Sequence, residues 1–247
     1  MNARGGVAWA VAVCVLAAAC ASDADSAGDE SAGSMSTTPT ALTTAPTGPP
    51  PERVVPPPLA SSVATIDDGL ATRMTGSWRP GCPVPLDELR RVTVTHWDFQ
   101  VSVRTGELVV HADAAEAVVA VFRGLYAARF PIQQIRLVDD FGGDDNRSMV
   151  ANNTSAFNCR PATGSTRWSE HAYGRAIDIN PIQNPYVTAS GAVLPPEGAA
   201  HAGRDPATPG LITADGPVVA AFDAVGWHWG GRWSSGRDYQ HFSATGR

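Results

Sequence analysis

Two polar clusters in the C-terminal half of the sequence hold residue types that perform hydrolytic chemistry. SEHAYGRAID contains Ser169, Glu170, His171 and Asp178, and RDYQH contains Asp238 and His241. A tetrahedral hydrolytic zinc site takes three protein ligands from His, Asp or Glu and leaves its fourth position to water. His171, Asp178 and His241 could supply that set. The spacing from His171 to Asp178 does not make them neighbours on one helix face, but a turn through Gly174 can bring a loop histidine beside an aspartate on the following strand. Asp238, just ahead of His241, can approach such a site without ligating and take a proton as general base. The other histidines compete: His96 and His111 fall in a strand-rich segment, His201 in an irregular one, and His228, the main rival ligand, among tryptophans. Taken singly, such histidines are more often surface or core-edge residues, so spacing alone leaves the ligand set open. Ser, His and Asp also admit a serine hydrolase, yet no G-x-S-x-G elbow is present to expose a nucleophile.

The elements that must position these groups are legible in part. Val92, Val94 and His96 alternate with Thr93, Thr95 and Trp97; Val101 and Val103 precede an expected turn at 104–106 and a return strand at 108–111, which makes a hairpin. Asp113 is expected to cap a helix whose Val118, Val119, Phe122, Leu125 and Tyr126 recur at helical spacing, ending near Phe130 because Pro131 follows. A strand is expected over 132–138, then a long loop through Arg160, then a half-buried strand in RAIDIN at 175–180. Residues 183–214 read as an irregular excursion. Asp215 and Pro217 open a short helix with Gly226 as its C-cap, and the tail through WHWGGRW ends in a short extended element. Strands and helices without regular alternation predict an α+β fold, a small mixed or antiparallel sheet with flanking helices.

Around the clusters several residues carry two readings each. Trp229 and Trp233 could wall a cleft, with Gly230 and Gly231 allowing close approach, or simply pack in the core. Asn152, Asn153 and Asn158 could orient a substrate or stabilise turns; Tyr173 and Tyr186 are pocket candidates. Arg160, judged alone, is a surface arginine after Cys159.

The chain has 247 residues and a net charge of -6, which excludes a strongly basic nucleic-acid binder, and one domain is the expectation. Residues 1–20 carry Arg4 ahead of an apolar run from Val7 to Ala19. That run would rise only about 20 Å as a helix, short of the roughly 30 Å hydrocarbon core, so an export signal is expected rather than a lasting span. LAAAC, ending at Cys20, resembles a lipoprotein box, which would lipidate Cys20; plain cleavage and release is the alternative. Residues 21–61, rich in Pro, Ser, Thr and Ala with proline triplets at 49–51 and 56–58, are expected to form a disordered stalk before a globular head at 62–247. In an oxidising exterior compartment Cys82 and Cys159 are expected to pair as one disulfide, the alternative being two buried thiols.

The pattern S-x-H-x-x-G-x-A-x-D from Ser169 to Asp178, with Asp238-x-x-His241, resembles the M15 family of zinc metallopeptidases. SMVANNTSAFNCR, WSEHAYGRAIDINPIQNPY and WHWGGRW are similar to its endolysin-like branch, and the resemblance covers Trp78 to Phe242. It implies an M15-like fold and one catalytic Zn2+ held by His171, Asp178 and His241. It also implies Asp238 as base and Arg160 steadying the carbonyl oxygen or a nearby carboxylate. Ser169, Tyr173, Asn158, Trp229 and Trp233 are then expected on the substrate side. The implied reaction is hydrolysis of a peptide bond in peptidoglycan stem peptides, L-alanyl-D-glutamate cleavage ahead of D-alanyl-D-alanine trimming. A cell-wall binding lipoprotein without catalysis is the alternative from another class. The expected protein is a monomer, exported and held at the outer face of the membrane by lipid or released to the wall, with no nucleic-acid partner.

Overall fold

The computed structural model describes residues 57–247. The expected export signal, Cys20 and the stalk as far as residue 56 lie outside the described residues. The chain enters through β1 (Ser61–Thr65), an edge strand, and α1 (Asp68–Arg73), whose N-terminus is capped by the Asp67 carboxylate accepting from Leu70 N. Neither has enough residues to show a period in sequence.

Strand β2 (Leu89–Trp97) pairs antiparallel with β1 on one side and along its full length with β3 (Val103–His111) on the other. The hairpin turn lies at 98–102, not at 104–106 as expected. Asp98 decides this: its Oδ1 accepts from Gln100 N and Ser102 N, its Oδ2 accepts from Arg104 Nε at 2.8 Å, and Val101 takes φ +58°. Gly106 stays inside β3, where a Cβ would fall 2.3 Å from the Ile135 Cβ.

Helix α2 (Ala115–Ala127) buries Val118, Val119, Val121, Phe122 and Leu125. Asp113 does not cap it. A 3-10 turn over Ala112–Ala114 precedes the helix, and Asp113 instead meets His111 and Arg175. The helix also stops short of Phe130, because Arg129 adopts φ +52° and turns the chain before the proline acts. The strand expected over 132–138 shrinks to β4 (Gln134–Ile135). Beyond it, the side chain of Asn153 imitates the ladder, accepting from Arg136 N and donating to Arg136 O. The expected long loop contains α3 (Asp145–Val150), capped by Asp144, and β5 (Asn153–Thr154), parallel to β4.

The second half supplies β6 (Ala176–Asp178), β7 (Tyr186–Val187), β8 (Val193–Leu194), α4 (Pro217–Asp223), β9 (His228–Trp229), β10 (Arg237–Asp238) and β11 (His241–Ser243). They form two three-stranded sheets, β6-β11-β9 and β10-β7-β8. β6 is buried on both faces rather than one, and Ser155 bridges Asp178 on the edge away from β11. Ala224 caps α4, two residues ahead of the expected Gly226. The irregular excursion is ordered by a polar hub: Arg204 donates to Gln183 O, Asn184 Oδ1 and Ile212 O, and lies 4.0 Å over the Tyr239 ring. The main core gathers Val92, Val94, Phe122, Ile177, Phe222 and Phe242, with α2 packed on β2 and on α4, and α4 on β9. These small sheets with flanking helices are the α+β arrangement the sequence predicts.

Candidate metal centre

A 3-10 turn over Glu170–Tyr173 carries His171, and the Ser169 hydroxyl accepts from His171 N to cap it. The turn ends at Gly174 with φ +67°, where a Cβ would stand 2.5 Å from His111 N; only glycine lets the chain pass there into β6. Asp178 closes β6, and His241 opens β11 as its direct cross-strand partner. Side chains directly opposite on an antiparallel pair face the same side, so the register alone brings these two together.

The His171 Nε2 lies 3.2 Å from Asp178 Oδ2, His241 Nδ1 lies 3.0 Å from Asp178 Oδ1, and the two imidazole nitrogens are 3.2 Å apart. One ligand atom from each residue falls within a 4.8 Å set, and all three residues are buried. Each imidazole spends its far nitrogen on a main-chain oxygen. His171 Nδ1 donates to Ala156 O at 2.6 Å, and His241 Nε2 donates to Arg247 O at 3.0 Å. Those bonds select the tautomers that leave Nε2 of His171 and Nδ1 of His241 with lone pairs facing the carboxylate. Two aimed imidazole lone pairs and a carboxylate fit a divalent metal.

The electrostatics agree with that fit. Burial opposes the charge of Asp178, yet His171 and His241 hold it well below the usual carboxylate range. Burial likewise opposes a charged His241, but the hydrogen bond to Asp178 and the charges of Asp178 and Asp238 raise it to about 9. The cluster thus attracts a cation, whether proton or metal.

Asp238 stands at the end of β10, paired with Tyr186 of β7. Its Oδ1 is shut from solvent and has no hydrogen-bond partner. Burial, then the Asp178 charge, push its carboxyl up to about 7 against the pull of His241 and Arg160. Gly230 makes room for this segment, since a Cβ there would fall 2.7 Å from Asp238 O. That is close approach of protein backbone, not of substrate. Arg160 reaches the same pocket, its guanidinium 2.7 Å from the Asp145 carboxylate. Asp145 has little to mark it in the sequence beyond the acidic start it gives to the six-residue α3.

The pocket has a volume of about 770 Å³ and is lined by the metal cluster, Asp238, Arg160, Ser169, Tyr173, Tyr186 and Trp233, together with the segment from Ala162 to Glu170. Arg167, Arg175 and Arg247 also border it and were not foreseen. Trp233 sits 5.6 Å from the His241 ring. Trp229, expected on the cleft wall, is instead a core residue: it stacks on Phe242 and donates its indole N–H to Tyr239 O. Asn158, expected on the substrate side, is buried away from the pocket lining and donates to Asp145. Asn152 and Asn153 serve turns, Asn152 with φ +54° and its side-chain oxygen accepting from Ile182 N. His228 is exposed and outside the cluster. Cys82 and Cys159 are joined, with Cα atoms 5.8 Å apart, which ties the residue before Arg160 to the N-terminal side of the head.

Residues 163–244 match the M15 peptidase family described as D-alanyl-D-alanine carboxypeptidase. No curated protein and no solved structure matches the chain. The matched segment is similar to that family over about a third of the chain, and it contains all three residues of the cluster and Asp238.

Proposed function

We propose that the protein is a zinc peptidase that hydrolyses a peptide bond in peptidoglycan stem peptides, the L-alanyl-D-glutamate bond first. The observation that carries this is the buried His171, Asp178 and His241 set, with both imidazole tautomers fixed, beside an unpartnered Asp238 carboxylate oxygen. Two imidazoles and one carboxylate are a ligand set of hydrolytic zinc sites. Bound there, zinc would supply Lewis-acid polarisation and a water of lowered pKa.

The chain's own residues carry the remaining work. Asp238, with its carboxyl near neutrality, takes the proton of the attacking water and returns it to the leaving amine nitrogen. Arg160, steadied by Asp145, presents a fixed cation to the negative charge that grows on the carbonyl oxygen. Trp233, Tyr173 and Tyr186 flank the pocket and hold the peptide. A pocket of about 770 Å³ supports an internal bond, because it has room for residues on both sides of the scissile amide. The description of the matched family favours the second reading, removal of a terminal D-alanine. The disulfide supports a head that works outside the cytosol. An exterior location is the one that an export signal at residues 1–20 would give, with the proposed monomer held at the membrane through lipidated Cys20 or released to the wall.

Digestion of purified peptidoglycan by the zinc-loaded protein, with mass assignment of the new amine, tests the proposal. A new D-glutamate amine is expected. Free D-alanine would establish the second reading, and metal binding without any new terminus would leave a wall-binding protein and end the peptidase proposal.

A further inference from the structure

Beyond the ligands themselves, the site depends on the short segment that follows β11. His241 Nε2 donates to Arg247 O at 3.0 Å, and that oxygen is held in place by Ser243. The Ser243 hydroxyl donates to Arg247 O at 2.8 Å and accepts from Arg247 N at 3.1 Å, so one side chain clamps the main-chain N and O of residue 247. Ser243 is fully buried and is not itself one of the cluster's residues. A third contact secures the loop between them, the Trp233 indole donating to Gly246 O at 3.0 Å. Gly246 takes φ +78° and returns the chain over His228.

We infer that residues 243–247 form a return loop that orients the metal ligand His241, with Ser243 as its positioning residue. The physical logic is that of an outer-shell partner: a ligand imidazole whose far N–H is held presents its lone pair in one direction and in one tautomer. His171 receives this service from Ala156 O, a carbonyl in the chain leading to Cys159. His241 receives it from the return loop, which is built by a serine clamp rather than by a strand ladder. Without the hydroxyl, Arg247 N–H loses its acceptor and Arg247 O one of its donors. The carbonyl then drifts from His241, and the imidazole gains freedom that metal binding must remove.

This inference rests on the metal reading of the site, and the test separates the two. Zinc affinity is measured by competition with a chromophoric chelator for the wild-type chain, Ser243→Ala, Ser243→Thr and Gly246→Val, alongside thermal melts in excess EDTA. The expected result is a loss of about tenfold in zinc affinity for Ser243→Ala and Gly246→Val, near wild-type affinity for Ser243→Thr, and metal-free melting temperatures that stay together. In the zinc-loaded protein the His241 Nε2–H proton resonance should exchange slowly in wild type and rapidly in Ser243→Ala. Equal zinc affinity in wild type and Ser243→Ala, or no recovery in Ser243→Thr, overturns the positioning role while leaving the metal site intact. If Ser243→Ala does not fold, Gly246→Val decides alone, and unchanged affinity there overturns the inference. A wild-type chain that takes up no zinc overturns the metal reading and this inference with it.

Discussion

His96 makes the stability of the head sensitive to acid in a calculable way. It sits on β2 in line with Val92 and Val94, is 3% exposed, and neither ring nitrogen has a hydrogen-bond partner. Burial first, and the neighbouring Arg104 after it, lower its pKa from 6.5 to about 4 against the opposing pull of Asp98. The folded value lies below the unfolded one, so the unfolded chain takes up a proton in a range where the folded chain does not. The contribution of neutral His96 is therefore complete above pH 6.5, declines as pH falls, and is gone once pH passes below about 4. Each pH unit is worth about 1.4 kcal/mol, so the full loss is about 3 kcal/mol. His96→Leu removes the titration and both unpartnered nitrogens, and at pH 7.5 it should be at least as stable as wild type. Urea unfolding of both proteins in EDTA, from pH 7.5 to pH 3.5, gives the comparison; the metal cluster titrates alike in each and cancels in the difference. The stability gap should grow in favour of His96→Leu by about 3 kcal/mol across that range. A gap independent of pH would refute the argument, since His96 would then have a partner in both charge states.

Other expectations concern the site. Asp238→Asn should keep zinc affinity within a few-fold and lower kcat by roughly 10² to 10⁴; unchanged turnover in steady-state assays removes Asp238 as base. Because, against burial, Asp178 raises the pKa of His241 to about 9, metal must displace a proton from it below that pH, and apparent zinc affinity should weaken about tenfold for each pH unit below that value. Chelator competition at pH 6.5, 7.5 and 8.5 checks this, and a flat profile contradicts it. Arg160→Ala should lower kcat by about 10² with little change in metal affinity; a rise in KM alone would move Arg160 from the reacting oxygen to substrate binding. Replacing Cys82 and Cys159 by alanine opens a loop of sequence separation 77. By loop entropy the loss is about 4.5 kcal/mol, and denaturant midpoints showing a loss below about 1 kcal/mol speak against it.

Only half of the cluster was legible from spacing: a turn through Gly174 joins His171 to Asp178, and the alternation of RAIDIN marks the strand that holds Asp178. His241 lies 63 residues beyond Asp178 and meets it through a strand pairing that spacing does not reveal, so its place in the set came from the family resemblance. What failed to show was set by side chains acting in place of backbone. Asp98 moved the hairpin turn, Asn153 ended a strand that apolar residues would have continued, and Arg129 ended a helix before its proline. Asp145 escaped notice for the same reason: its helix has six residues, too few for a period, and its partner Arg160 lies across a loop. Trp229 and Trp233 were indistinguishable by type. Which of them faces the pocket follows from one strand pair, Phe242 opposite Trp229.

The covalent link between Cys82 and Cys159 closes before the first metal ligand occurs in the chain, and His171, Asp178 and His241 all follow it. The head is therefore secured by two fasteners that divide it along the sequence. One is released by electrons and encloses the hairpin, α2 and α3; the other is released by protons or chelators and gathers the strands behind them. The two halves share one core, so an oxidising environment poor in metal removes only the second fastener, and a reducing, metal-rich one only the first. The segment between the fasteners begins at Arg160 and forms one flank of the pocket, so both conditions meet on the surface that faces the substrate.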